Sequence, residues 1–322
     1  MLFRNLILAL LVCFSFNSFS QSASEIYAEA DIAYSSKDYK KAGELYAESY
    51  ELEERTVAAF NAACSYSLAN DKKKAAKYAA VALEGGMFGF DDDSDFDNVR
   101  NYKKFEKIAA KARAELAKMA DEPALPSTYI ATTYNKEIAS PLIIALHGYG
   151  GNPDDMINVH KEIAEQFNAI ILAPRADKVS GRNTFYWGDG EALYARLRKE
   201  IENAIKKYNI DEDQIILTGF SQGGWLTYDF GLQNTDLIRC LMPVAGRVPS
   251  KLMLADNAKE NIRLFAFAGL KESQKFLDSY DNLDGKLDDI GVNYIIKKMN
   301  IGHTYPENRT EELREALLWL LE

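Results

Sequence analysis

Two hydrophobic rhythms divide the chain. Between residues 24 and 118, apolar and aromatic side chains recur at helical spacing, with Tyr27, Ala30 and Tyr34 on one face and Val57, Phe60, Cys64 and Leu68 on another. A further helix is predicted over 102–119. Past residue 126 the rhythm becomes short apolar runs at 141–147, 169–173, 214–218, 240–245, 263–268 and 292–297, with helix-compatible stretches such as 191–208 and 311–321 between them. A strand apolar at every position has to be covered on both faces, so this alternation predicts a mainly parallel α/β sheet with helices on both sides. The more polar stretch 128–134 is predicted as an antiparallel edge strand. Two prolines in Asp121-Glu122-Pro123-Ala124-Leu125-Pro126 disfavour helix and suit a stiff, extended linker. The expected organisation is a small all-α region over 21–120, a linker over 121–126 and an α/β domain over 127–322.

A weak repeat of 33 residues runs through the helical region, where Asp38 and Ala42 answer to Asp71 and Ala75. With its helix-turn-helix arrangement this resembles tetratricopeptide repeats, which implies a stack able to bind a protein partner. In Asp91-Asp92-Asp93-Ser94-Asp95-Phe96-Asp97, the residues Asp91, Asp93 and Asp95 have the first spacings of a calcium loop. Phe96 stands where that loop needs glycine, however, and Tyr102 where it needs a bidentate glutamate. The run is read as a solvated connector with Phe96 tucked into the stack.

Arg4, the eleven apolar residues 6–16 and Ser18-Phe19-Ser20 predict a secretory signal peptide over 1–20, too short to span a bilayer. Cys13 lies inside that run behind Val12, which is larger than a lipidation site prefers. The mature chain is expected outside the cytoplasm, periplasmic or secreted, with Cys64 and Cys240 as buried free thiols and no metal pattern. The net charge of 38 − 48 = −10, without a basic cluster, argues against nucleic acid as a partner.

The chemistry concentrates in Gly219-Phe220-Ser221-Gln222-Gly223, which follows a predicted strand and opens a predicted helix. A serine on such a tight turn is pushed out above the sheet edge, and the flanking glycines let backbone approach it. A serine hydroxyl needs a base within reach. Of three histidines, His160 is read as a surface residue at a helix start, and His147 as a buried brace for the turn Gly148-Tyr149-Gly150-Gly151. His303, in the loop after the last strand, shares with Ser221 the carboxyl edge of a parallel sheet and is the candidate base. The orienting carboxylate is expected between them in sequence. Glu272, in the loop after the 263–268 strand, is favoured, with Asp278 and then Asp281 as alternatives. The backbone N–H groups of Gln222 and Tyr149 are the expected oxyanion donors, a plain tight turn being the other reading of the glycine-rich segment.

Residues 127–322 resemble the α/β-hydrolases of the small esterase branch: phospholipase/carboxylesterase, polyhydroxyalkanoate-depolymerase-like and feruloyl-esterase-like proteins. Leu146-His147-Gly148-Tyr149-Gly150, Gly219-Phe220-Ser221-Gln222-Gly223-Gly224 and Gly302-His303 carry the likeness. It implies a serine–acid–histidine triad with no cofactor; a glutamate at 272 departs from the commoner aspartate. The expectation is a secreted esterase acting on small-molecule or polysaccharide-linked esters. A serine peptidase of the same fold, or an exported binding scaffold with a dormant hydrolase domain, are the competing readings. Trp187, in a predicted loop at 185–187, and Arg247 are substrate-pocket candidates, while Trp225 is read as core packing.

Overall fold

Alanine on one helix face and tyrosine on the next allow the first helices to approach closely and still fill the gaps between them. The computed structural model describes residues 21–322 apart from 92, 120 and 121; the signal peptide read over 1–20, Cys13 included, lies outside the described residues. Helices α1 (Ala23–Ser35), α2 (Tyr39–Glu53), α3 (Thr56–Leu68) and α4 (Lys72–Glu84) each pack on the next, followed by a 3-10 turn at Ser94–Phe96 and α5 (Lys103–Met119). The 33-residue recurrence is a repeated corner. Asp38 and Asp71 cap α2 and α4 by accepting from the N–H groups of Lys41 and Lys74, and Ala42 and Ala75 are fully buried. Lys37 and Asn70 precede them at φ of 62° and 60°.

Phe60, Phe90, Phe96 and Phe105 form one aromatic cluster with centroids 5.0–6.0 Å apart. Phe96 is fully buried in the stack, Asp91, Ser94 and Asp97 stay exposed, and Asp93 and Asp95 are half-buried beside it. Asp93 accepts from the Cys64 thiol at 3.7 Å, Asp95 accepts from the Tyr34 hydroxyl at 2.5 Å, and Asp91 pairs with Arg113 at 2.8 Å.

Beyond the linker come β1 (Ser127–Ile130), β2 (Ser140–Leu146), α6 (Pro153–Phe167), β3 (Ile170–Ala173), β4 (Lys178–Gly181), β5 (Thr184–Tyr186) and α7 (Glu191–Lys207). They are followed by β6 (Ile210–Phe220), α8 (Gln222–Gln233), β7 (Cys240–Val244), β8 (Arg263–Gly269), α9 (Gln274–Tyr280), α10 (Leu283–Ile290), β9 (Asn293–Met299) and α11 (Arg309–Leu320). The seven-stranded sheet has the order β1-β3-β2-β6-β7-β8-β9, parallel throughout except for β1, which is the antiparallel edge strand. Period-two alternation sorts its side chains. Leu142, Ile144, Ile215, Leu217, Leu264 and Ala266 face the layer of α7, α8 and α10. Ile143, Ala145, Ile216, Phe265 and Phe267 face α6 and α11. Cys64 and Cys240 are buried free thiols.

Of the segment 185–187, read from sequence as loop, Phe185 and Tyr186 instead lie in a two-stranded hairpin of β4 and β5, and Trp187 follows it. This hairpin ties the two halves of the chain together. Arg182 N–H donates to Gly86 O and Phe88 N–H to Ser180 O, both at 2.6 Å, so Met87 pairs with Gly181 in an antiparallel bridge alongside β4. On the other side Phe185 bridges Gly151.

Helix α8 sits unusually close to the sheet because Gly224 and Gly246 meet backbone to backbone: a Cβ on Gly224 would lie 2.8 Å from Gly246 Cα. Gly224→Ala is therefore expected to lower stability by about 2 kcal/mol through overpacking, a melting-temperature drop on the order of 5 °C for a domain of this size. Thermal unfolding followed by circular dichroism tests this, and an unchanged transition would show that α8 can move off the sheet freely.

Candidate active site

Ser221 occupies the corner between β6 and α8 at φ 55°, ψ −109°, a conformation that costs on the order of 1–3 kcal/mol for a residue with a side chain. The surroundings impose it. Ser221 N–H donates to Val244 O at 3.0 Å, and its carbonyl accepts from Trp225 N–H at 2.9 Å. A Cβ on Gly223 would come 2.7 Å from His147 O, and one on Gly219 would strike the backbone of Gly223. With both flanks filled by backbone, the serine side chain has only the carboxyl edge of the sheet to project from.

Two neighbouring parallel strands deliver its partners. Glu272 follows β8 and His303 follows β9, and their loops are laced together by Leu270 N–H to Met299 O at 2.8 Å and Lys271 N–H to Ile301 O at 2.9 Å. His303 Nε2 lies 2.8 Å from Ser221 Oγ, and its Nδ1 lies 3.0 and 2.9 Å from the two carboxylate oxygens of Glu272. The glutamate side chain is 1% exposed against 29% for the histidine, so the acid is sheltered while the imidazole reaches the surface. Phe220 and Phe276 hold the imidazole from two directions, with centroids 5.1 and 4.8 Å away. Asp278 is on α9, bonded to Gln274 at 2.7 Å, and Asp281 caps the end of that helix; the structure brings Glu272, not either aspartate, to His303.

The glycine-rich turn after β2 forms the opposite wall. Gly148 packs so closely that a Cβ there would lie 3.3 Å from Ser221 Cβ. Gly150, at φ 75°, donates its N–H to Phe185 O at 2.9 Å, and Phe185 N–H returns a bond to Gly151 O at 2.9 Å. His147 is buried beneath: its Nδ1–H donates to Gly148 O at 2.7 Å while Nε2 accepts from Ala176 N–H at 3.2 Å. Burial drives its pKa down to about 4, partly opposed by the Gly148 carbonyl. Trp187 does not line an open pocket. It is 2% exposed, stacks on His147 at 4.9 Å and donates Nε1–H to His147 O at 2.7 Å. The Gln222 side chain clamps Trp187 by accepting from its N–H at 3.0 Å and donating to its carbonyl at 2.8 Å. No sequence pattern announces that clamp, because it needs the tertiary approach of residues 35 apart. Arg247 is exposed just past β7, and Trp225 packs half-buried against the core.

His160 is not a surface residue. It is fully buried on α6, bonded through Nδ1 to Met156 O at 2.9 Å, and faces Tyr305 of the His303 loop at 6.4 Å. One polar residue on the inner stripe of an otherwise amphipathic helix is easily assigned to the wrong face. Burial lowers its pKa to about 4. Cys64, Asp93 and Asp95 each bring one potential ligand atom within 4.8 Å of the others. The thiol there donates to Asp93, and burial raises its pKa well above the ordinary value.

A family model described as phospholipase/carboxylesterase matches residues 191–279, and a second, for serine esterases (DUF676), matches 136–231. The chain is 28% identical over 151 residues to a bifunctional acetylxylan esterase/xylanase of Neocallimastix patriciarum, covering 46% of this chain and 21% of that protein. It is 28% identical over 128 residues to the probable feruloyl esterase C of Aspergillus flavus, covering 38% of this chain and 46% of that one. The chain thus spans less than half the length of either relative. The crystal structure of esterase PE8 superposes with a TM-score of 0.53 at 18% identity, over 62% of this chain and 100% of that chain, a likeness of fold.

His147 and His160 each contribute to the acid response with the same sign. Both take up a proton near pH 6.5 when unfolded and only near 4 when folded. Their contribution to stability is therefore complete above pH 6.5 and is lost as pH falls toward 4. The melting temperature is expected to fall across that window, and less steeply in His160→Leu. An equal slope in the variant would mean that His160 does not titrate with unfolding.

Proposed function

We propose, on the premise that this chain carries an α/β-hydrolase of the esterase type, that it cleaves carboxylic esters through an acyl-serine intermediate. The observation that carries the reading is the unbroken line from the Glu272 carboxylate through His303 to Ser221 Oγ, 2.8 Å from the imidazole. In this reading Ser221 is the nucleophile, His303 the general base and Glu272 the acid that keeps Nδ1–H pointed away from the serine. As Oγ bonds to the ester carbonyl carbon, its proton passes to His303 Nε2 and the carbonyl electron pair moves onto oxygen. We assign the backbone N–H groups of Tyr149 and Gln222 as donors to that oxyanion; the N–H of Gly150 is committed to Phe185. Collapse expels the alcohol, which takes the proton from Nε2. Water then attacks the acyl-serine by the same route, releasing the acid and restoring the hydroxyl.

The relatives' names include an acetylxylan esterase and a feruloyl esterase, and from them we infer an ester borne by a small molecule or a polysaccharide. Arg247, on the exposed edge past β7, is the remaining candidate of the two for contact with substrate. The division into a tetratricopeptide-like region over 21–120, a linker over 121–126 and a hydrolase over 127–322, and an extracytoplasmic location after loss of residues 1–20, belong to the same proposal. Among the described residues no helix is long and apolar enough to cross a membrane.

With p-nitrophenyl acetate, Ser221→Ala is expected to lower kcat by about 10⁶-fold and Glu272→Ala by about 10⁴-fold. Asp278→Ala should stay close to the parent rate. A Ser221→Ala protein that turned over the ester as fast as the parent would end the acyl-serine reading, and a larger loss for Asp278→Ala than for Glu272→Ala would move the acid to α9.

A further inference from the structure

Trp187 stands just past β5, and both of its main-chain groups turn to the side-chain amide of Gln222. Its N–H donates to Gln222 Oε1 at 3.0 Å, and its carbonyl accepts from Nε2 at 2.8 Å. One primary amide thus takes the place of a neighbouring strand. Trp187 is 2% exposed, so a side chain lacking either the donor or the acceptor would leave a sheltered main-chain group unpaired.

The indole of the same residue carries the link onward. Its Nε1–H donates to His147 O at 2.7 Å, and the ring stacks on the imidazole with centroids 4.9 Å apart and planes 30° from parallel. Ala176 N–H donates to His147 Nε2 at 3.2 Å, which leaves Nδ1 as the protonated nitrogen. That Nδ1–H reaches Gly148 O at 2.7 Å, where Gly151 N–H also arrives at 3.1 Å. The Gly148 carbonyl and the Tyr149 N–H belong to one planar peptide and point opposite ways. Holding the carbonyl with two donors therefore aims the N–H. Both ends of this relay meet at the serine: Gln222 follows Ser221 directly, and a Cβ on Gly148 would lie 3.3 Å from Ser221 Cβ.

From this relay we infer that the Gln222 side chain is a positioning residue for ester cleavage. It sets its own backbone N–H, one of the two donors assigned to the oxyanion, in register with the other, that of Tyr149. Trp187 and His147 are the links between them. The inference rests on the acyl-serine reading of Ser221 and on those two donors. The oxyanion exists only while the carbonyl is under attack, so misaligned donors weaken the transition state and leave the bound ester untouched.

The test uses the full chain, as parent, Gln222→Met, Trp187→Phe and the double variant. Gln222→Met keeps the length of the side chain and the backbone N–H but removes both amide groups. Trp187→Phe keeps a ring on His147 and removes the indole N–H. Three quantities are measured: kcat and KM for p-nitrophenyl acetate, the pH profile of kcat/KM, and Ki for a trifluoromethyl ketone. The ketone accepts Ser221 Oγ at its carbonyl carbon and leaves an oxyanion on the carbonyl oxygen. Gln222→Met is expected to lower kcat by about 10²-fold with KM little changed, and to raise Ki by a similar factor. Trp187→Phe should act in the same direction, and the double variant should lose no more than the worse single one, because both break one relay. The pH profile should not move, since His303 and Glu272 keep their contacts. Melting temperatures confirm folding, and Trp187→Phe carries the test if Gln222→Met does not fold. Unchanged kcat in the folded variants overturns the inference, as does a loss confined to KM. So do losses that multiply in the double variant, or a shifted pH profile, which would place the effect on His303. Each of these leaves the esterase reading standing, whereas retained turnover in Ser221→Ala would strike that reading itself.

Discussion

Backbone meeting backbone at the end of β6 is the constraint on which the rest of the site depends. Gly219, Gly223, Gly224 and Gly246 remove the side chains that would hold α8 away from β2 and β7. The close fit leaves one way to turn from strand into helix, and that way forces residue 221 to a positive φ. Burial of the surrounding sheet over-determines a conformation the serine would not adopt by itself. Its hydroxyl then faces the sheet edge where the loops after β8 and β9 also emerge, and adjacency of those two strands sets Glu272 against His303.

Much of this was legible from residues because the sheet is covered on both sides. The interior strands carry long apolar stretches, so the runs at 141–147, 214–218 and 263–268 stand out even though β6 carries the polar residues Asp211 to Gln214 near its start, and the edge strand β1 is betrayed by its polarity. The order of Ser221, Glu272 and His303 along the chain is the one the resemblance to α/β-hydrolases implies. What stayed illegible shares one cause, dependence on tertiary contact. The hairpin β4–β5 is too short and too mixed to announce itself, and it is held by neighbours distant in sequence. Trp187 reads as a pocket wall until its indole is seen bonded to the His147 carbonyl. Polarity alone puts His160 in solvent and conceals the half-burial of Asp93 and Asp95 beside Phe96. Each is drawn inward by an aromatic partner that periodicity does not reveal.

The two imidazoles outside the serine–histidine pair have structural work of their own. His147 spans from the glycine-rich turn to Ala176, fixing that turn from below, while His160 sits under the loop that carries His303. Both are kept neutral by burial. Tyr305 stacks on Phe220, which in turn touches His303, so the support of the His303 imidazole runs through a column of rings into α6.

The pairing of residues 86–88 with β4 makes a ribbon of four short segments, running from the helical stack through β4 and β5 to Gly150 and Gly151. The proline-rich junction looks like a natural place to cut the polypeptide, yet the seam of hydrogen bonds lies elsewhere. A fragment beginning at that junction would keep every residue proposed for catalysis and still carry a raw edge next to them. In this molecule covalent order and mechanical order disagree, and the helices belong to the hydrolase as scaffolding rather than as an appendage.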